Sequence, residues 1–116
     1  MGMQESPDEL KIFDCNASLG RRHNERTACD SKEAFLDFMS EAGITRALVY
    51  NPYCIRWGTM EGNQLLLDTI ADTQSLVPQF VVSFAVDDID EVKKCVHETA
   101  IRSLRIFPNS HGYPLV

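Results

Sequence analysis

The sequence predicts an α/β protein whose parallel strands alternate with helices in the order β-α-β-α-β-α-β. Three observations predict it. Four short apolar or alternating segments are separated by stretches with helical stripes of apolar residues. Two of those stretches open on capping-box spacings, Asp30 with Glu33 and Asp88 with Glu91. The third strand-like segment is apolar on both faces, as expected of a parallel strand covered on both sides.

Residues 1–10 read as a polar lead-in with Ser6-Pro7-Asp8 as a turn signal, and the domain runs from 11 to 116. Lys11–Ala17 reads as the first strand, with Ile12, Asp14 and Asn16 on one side and Phe13, Cys15 and Ala17 on the other. A polar loop from Ser18 to Cys29 follows, containing Gly20-Arg21-Arg22-His23. A helix starts near Asp30 or Ser31, and Phe35, Phe38, Met39 and Ala42 form its buried stripe. Gly43 stops it, because glycine takes positive φ without steric cost. Arg46–Tyr50 is the second strand, ended by Asn51-Pro52. The segment from Tyr53 to Gly62 reads as a loop, and a second helix is expected over Asn63–Asp72. Phe80–Val86 is the third strand. The helix after Asp88 buries Ile89, Val92 and Val96. Ser103–Phe107 is the fourth strand, cut off by Pro108, and the tail from Asn109 reads as a loop that starts another helix.

Composition bounds the function. The chain has 116 residues, 44% hydrophobic and 24% charged, the balance of a globular domain. Its net charge of −6 argues against nucleic acid and against anionic membrane surfaces as partners, since both need clustered Lys and Arg. No apolar stretch approaches the roughly 20 residues of a membrane helix. The polar start gives no signal peptide, so a cytoplasmic location is expected, with Cys15, Cys29, Cys54 and Cys95 as free thiols, mostly buried. Phosphate loops and nucleophile elbows are absent from the sequence.

Two architectures fit this order of elements, an open doubly wound sheet and the first four strands of a (β/α)8 barrel. In both, ligands gather beyond the carboxyl ends of the strands, where Asn16, Ser18, Tyr50, Asn51, Arg105 and His111 fall. Strand alternation favours the barrel. Asp14, Asn16 and Ser18 share one face of the first strand, and Ser103, Arg105 and Phe107 one face of the last, while the opposite faces are apolar. A strand with one polar face suits a barrel lumen, whereas a doubly wound sheet wants both faces apolar.

The segment Ile12-Phe13-Asp14-Cys15-Asn16-Ala17-Ser18-Leu19-Gly20 resembles the first strand of the amidohydrolase-related metal-dependent hydrolases, which ends in Asp-x-His-x-His. Gly43–Val49 resembles the helix stop and second strand of that family. Leu104–Pro108 with His111–Leu115 resembles its fourth strand and following loop. The resemblance implies a partial TIM barrel and, in an intact parent protein, hydrolysis or decarboxylation of a small polar or anionic substrate. Relatives use a divalent metal such as zinc. At the positions of the two histidine ligands this chain has Asn16 and Ser18, which are poor zinc ligands. No metal or other cofactor is therefore expected in this chain, no catalytic residue is assigned, and the chain alone is expected to be inactive. Arg105 stands where many relatives place a lysine. It is expected to clamp a substrate anion, with Asn16 and Ser18 as hydrogen-bonding partners. Plainer roles stay open: Asn16 and Ser18 also fit a strand end, Arg105 also fits a pairing with Asp14, His111 fits an exposed loop, and Tyr53 and Trp57 fit either a lid or simple packing. The open edges of a partial barrel also predict self-association. The rival reading is a small non-enzymatic α/β module that binds an anionic ligand or a protein partner.

Overall fold

The computed structural model describes residues 10–20 and 31–114. The lead-in 1–9, the loop segment 21–30 with His23, Cys29 and the Asp30 cap, and residues 115–116 lie outside the described residues. Within them the chain is an α/β protein with a parallel three-stranded sheet. Its elements are β1 (Ile12–Ser18), α1 (Lys32–Ala42), β2 (Ile44–Tyr50), α2 (Tyr53–Arg56), α3 (Thr59–Ile70), β3 (Leu76–Pro78), β4 (Phe80–Val81), α4 (Ile89–Thr99), β5 (Leu104–Arg105) and α5 (Pro108–His111).

Helix α1 forms as its sequence dictates at both ends. Ser31 Oγ accepts from the Ala34 N–H at 3.2 Å, and Gly43 closes the helix at φ 76°. Phe35 and Met39 are buried under it, but Phe38 is about half exposed, so the stripe is narrower than its spacing predicts.

Sheet pairing is parallel throughout. β2 lies between β1 and β3, and β4 pairs with β5. Only Gln79 separates β3 from β4. Its N–H donates to Val49 O at 2.7 Å, while Phe80 N–H donates to Ser103 O at 3.1 Å. The third strand is thus one extended segment that faces β2 with its odd-numbered amides and β5 with its even-numbered ones. This corrects the expected strand Phe80–Val86, which begins earlier and stops sooner. Pro78 is tolerated because its missing N–H falls on the side where β5 has not yet begun. After Val82 the chain turns back: Asp87 N–H donates to Ser83 O at 2.8 Å, and Ser83 N–H donates to Asp87 Oδ2 at 2.7 Å. Phe84 and Val86 consequently face solvent.

A bulge in β1 makes a second correction. Asp14 partners Ala47, but Ala17 partners Val49, so β1 holds one residue more than β2 in that interval. The Asp14 side chain accepts from the Asn16 N–H at 2.9 Å, a local bond that competes with the ladder. Paired residues of parallel strands share a face, so Asp14 goes with buried Ala47 on the helix side and does not share the face of Asn16.

The main core lies between the sheet and its helices. Ala17, Leu19, Phe35, Met39, Ala47, Val49, Leu66, Ile70 and Leu76 fill it. The stretch from Tyr53 to Gly62 is not a loop: it holds α2 and the start of α3, because Gly62 sits inside a helix to let Cys54 approach. Helix α4 is capped by Asp88 as its spacing predicts. None of its residues is fully buried, and Ile89 is exposed, contrary to the expected inner face.

Candidate functional site

The carboxyl ends of the strands bring together Asn16 from β1, Tyr50 from β2, Gln79 between β3 and β4, and Ser103 and Arg105 at β5. Each arrives by strand alternation. Beyond the bulge, Ala17 and Leu19 enter the helix-side core, which turns Asn16 and Ser18 to the other face.

Arg105 is the centre of this cluster. Its Nη1 donates to Gln79 Oε1 at 3.3 Å, and its Nη2 donates to Asn16 Oδ1 at 2.5 Å. The guanidinium lies 4.4 Å from the centroid of the Tyr50 ring and 5.5 Å from that of Phe107. Such stacking holds the cation in place while leaving its in-plane donors for acceptors. Gln79 is fixed in turn, its Nε2 donating to Ser103 Oγ at 2.8 Å. The groups recorded around the half-buried guanidinium are all neutral, and the ion pair of Lys32 with Asp72 lies elsewhere. The alternative pairing of Arg105 with Asp14 is not made, because the bulge turns Asp14 away and its carboxylate is engaged by the Asn16 backbone.

A second layer supports the cluster. Tyr50, Cys54 and Val81 form a small buried core with Ile55 and Phe107 against it. The rings of Tyr50 and Phe107 stand 5.3 Å apart. His111 is not an exposed loop residue: it is half-buried on α5, and its Nε2 lies 3.0 Å from Cys54 O. A carbonyl only accepts, so Nε2 carries the hydrogen and donates. Its Nδ1 is buried without a hydrogen-bond partner. Cys54 is buried, and its thiol pKa is raised to about 12, first by burial and then by the negative charge of Asp87. It is an inert thiol donor to Thr59 O and Asn63 Oδ1, both at 3.4 Å. Cys15, by contrast, is exposed, which corrects its expected burial. Tyr53 and Trp57 stack on one another with ring centroids 5.1 Å apart, the packing alternative, and both remain accessible to solvent. Asn51 is buried and its Oδ1 accepts from Tyr53 N–H at 2.8 Å, a turn-forming role. Ser18 sits half-buried at the end of β1 beside this cluster.

The donor set does not fit a divalent metal. Among the described residues no three His, Cys, Asp or Glu side chains converge. The Asn16 oxygen already holds a guanidinium, and that positive charge would repel a dication at the same place.

Sequence reasoning placed Asn16, Ser18, Tyr50 and Arg105 at this end of the sheet. It missed Gln79, whose signal was a single polar residue between Pro78 and Phe80 in an otherwise apolar run. An open groove lined by Arg46, Gln74, Ser75, Leu76, Val77 and Pro78 lies apart from the cluster. No family model, no curated protein and no solved structure matches the chain.

Proposed function

We propose that the chain is the N-terminal part of an amidohydrolase-type (β/α)8 barrel whose mouth binds a small anionic ligand at Arg105, and that it does not hydrolyse that ligand by itself. One observation carries the ligand reading: a half-buried cation whose recorded partners among the described residues are amides and aromatic rings. A guanidinium with no carboxylate partner among the described residues is suited to attract an anion from solution. Support for the barrel comes from the strand positions, which follow chain order, and from the bond between Asn16 and Arg105. Those residues lie three strand spacings apart, roughly 14 Å in a flat sheet. Their contact asks the sheet to curl toward this face. The reading that the chain alone does not hydrolyse the ligand is supported by the donor set among the described residues, since a hydrolytic zinc site needs about three protein ligands and an open position.

The test is calorimetric titration of the chain with small anions, beside elemental analysis. Saturable binding that disappears in Arg105→Gln is the expected result, with less than stoichiometric zinc. Binding that survives Arg105→Gln, or one tightly held zinc per chain, would overturn the reading. A second reading, a self-contained α/β binding module, is favoured by the closed core on the helix side of the sheet. Sedimentation separates the two, as argued in the Discussion.

A further inference from the structure

We propose that the ligand of Arg105 is a planar carboxylate, which binds by displacing the amide oxygens of Asn16 and Gln79. The inference rests on the anion-binding reading above and narrows it to one chemical class.

The two terminal nitrogens of Arg105 each donate to one neutral oxygen, Nη1 to Gln79 and Nη2 to Asn16. This is the pairing that the two oxygens of one carboxylate would offer to the same fork. The two amides therefore hold the place of a carboxylate while the ligand is away. They are weaker acceptors than an anion, because only one member of each hydrogen bond is charged. Asn16 is exposed, so its bond is open to exchange with a solute.

The surroundings select shape as well as charge. Tyr50 at 4.4 Å and Phe107 at 5.5 Å crowd the guanidinium with aromatic rings. Acceptors are left to approach in the guanidinium plane, where a flat anion fits and a tetrahedral one makes poorer use of the fork. Charge points the same way. One cation matches one carboxylate, whereas sulfate is a dianion and phosphate partly so near neutral pH, and both are normally held by more than one positive or N–H-rich group. No second cation touches the Arg105 guanidinium among the described residues.

The experiment is a titration of the full ¹⁵N-labelled chain, followed on the Arg105 side-chain N–H signals, which are assigned by their loss in Arg105→Lys. Acetate, inorganic phosphate and sulfate are compared at matched ionic strength. Acetate is expected to move the signals saturably, with phosphate and sulfate about tenfold weaker or more. Asn16→Asp places an internal carboxylate on the guanidinium. It is expected to weaken acetate binding about tenfold and to shift the Arg105 signals toward their acetate-bound positions without ligand. Phosphate that binds as tightly as acetate would overturn the carboxylate while leaving the anion site intact. Failure of every anion to move Arg105 would overturn the anion site itself. An unchanged acetate response in folded Asn16→Asp would overturn the displacement. Should Asn16→Asp not fold, Asn16→Ala removes the competing oxygen and is expected to bind acetate more tightly; weaker binding there would also overturn the displacement.

Discussion

The side-chain amide of Asn63 pairs with both backbone groups of Val81, its Oδ1 accepting from the N–H at 2.9 Å and its Nδ2 donating to the C=O at 3.0 Å. The reason lies in β2. The odd-numbered amides of the third strand face β2, but β2 ends at Tyr50 and the chain leaves at Asn51-Pro52. Val81 is left without a strand neighbour on that side, and one carboxamide from α3 takes the place of a peptide group. Replacing Asn63 by Leu leaves a buried N–H and C=O unpaired, at about 1–3 kcal/mol for each group. A loss of about 2–6 kcal/mol in urea unfolding is expected. A midpoint equal to that of the unaltered chain would mean that water reaches Val81.

Gly62 tests the closeness of α2 to α3. A Cβ there would overlap Cys54 Sγ and come within 3.0 Å of the Cys54 backbone nitrogen. Alanine is the better helix former by nearly 1 kcal/mol, yet the neighbour here includes backbone that cannot swing aside. Gly62→Ala is expected to destabilise by about 1–3 kcal/mol, measured by thermal and urea unfolding together. A gain in stability would show that the two helices separate easily.

Cys54 sets a dependence on alkaline pH. Its folded pKa of about 12 stands above the ordinary thiol value of 9.0. A raised pKa leaves the contribution of this group fully present below pH 9, where the thiol is neutral in both states. Above that point the unfolded chain ionises and the folded one does not, so stability falls between pH 9 and about 12, by up to roughly 1.4 kcal/mol per pH unit. In Cys54→Ala this part of the decline should vanish. Iodoacetamide at pH 8 should label Cys15 in the folded chain and reach Cys54 only after unfolding; equal labelling of the two would contradict the burial.

Association tests the barrel against the self-contained module. Among the described residues β1 has a strand partner on one side only, β5 likewise, and Ile12, Phe13 and Leu104 are substantially exposed along these strands. Unpaired strands with apolar side chains recruit further strands. Concentration-dependent dimers are expected in sedimentation at tens of micromolar, an order-of-magnitude range for weak strand-edge contacts. A single monomeric species across that range would favour the module.

Much of the fold was legible because it rests on local signals. Gly43 and Asp88 mark helix ends through their own backbone and side-chain bonds, and the structure keeps both. The third strand was misplaced because Phe80–Val86 is apolar throughout, and composition alone cannot reveal that Ser83 and Asp87 bond to one another across a turn. The site was legible in part. Alternation placed Asn16 and Arg105 at the same end of the sheet. It also placed Asp14 with them, since nothing in a two-residue period announces an inserted residue. Gln79 went unseen because its importance comes from where two neighbouring strands meet it, a tertiary property.

The irregularity in β1 has a wider meaning for how such a strand can change. It works as a parity switch. Below it the residues obey one odd-even rule and above it the opposite one, so the lower half can be tuned for packing without disturbing the upper half. Removing a single residue at Cys15 would join the two halves into one regular ribbon with Asn16 and Ala17 on their present faces, because Asp14 and Ala17 already share the helix side; straightening β1 with Cys15 kept would instead carry Asn16 under the helices and Ala17 out toward Arg105. The ligand-facing chemistry of this end of the sheet thus hangs on one residue held out of register, and a slip of the pairing by one would rewrite it more thoroughly than any substitution.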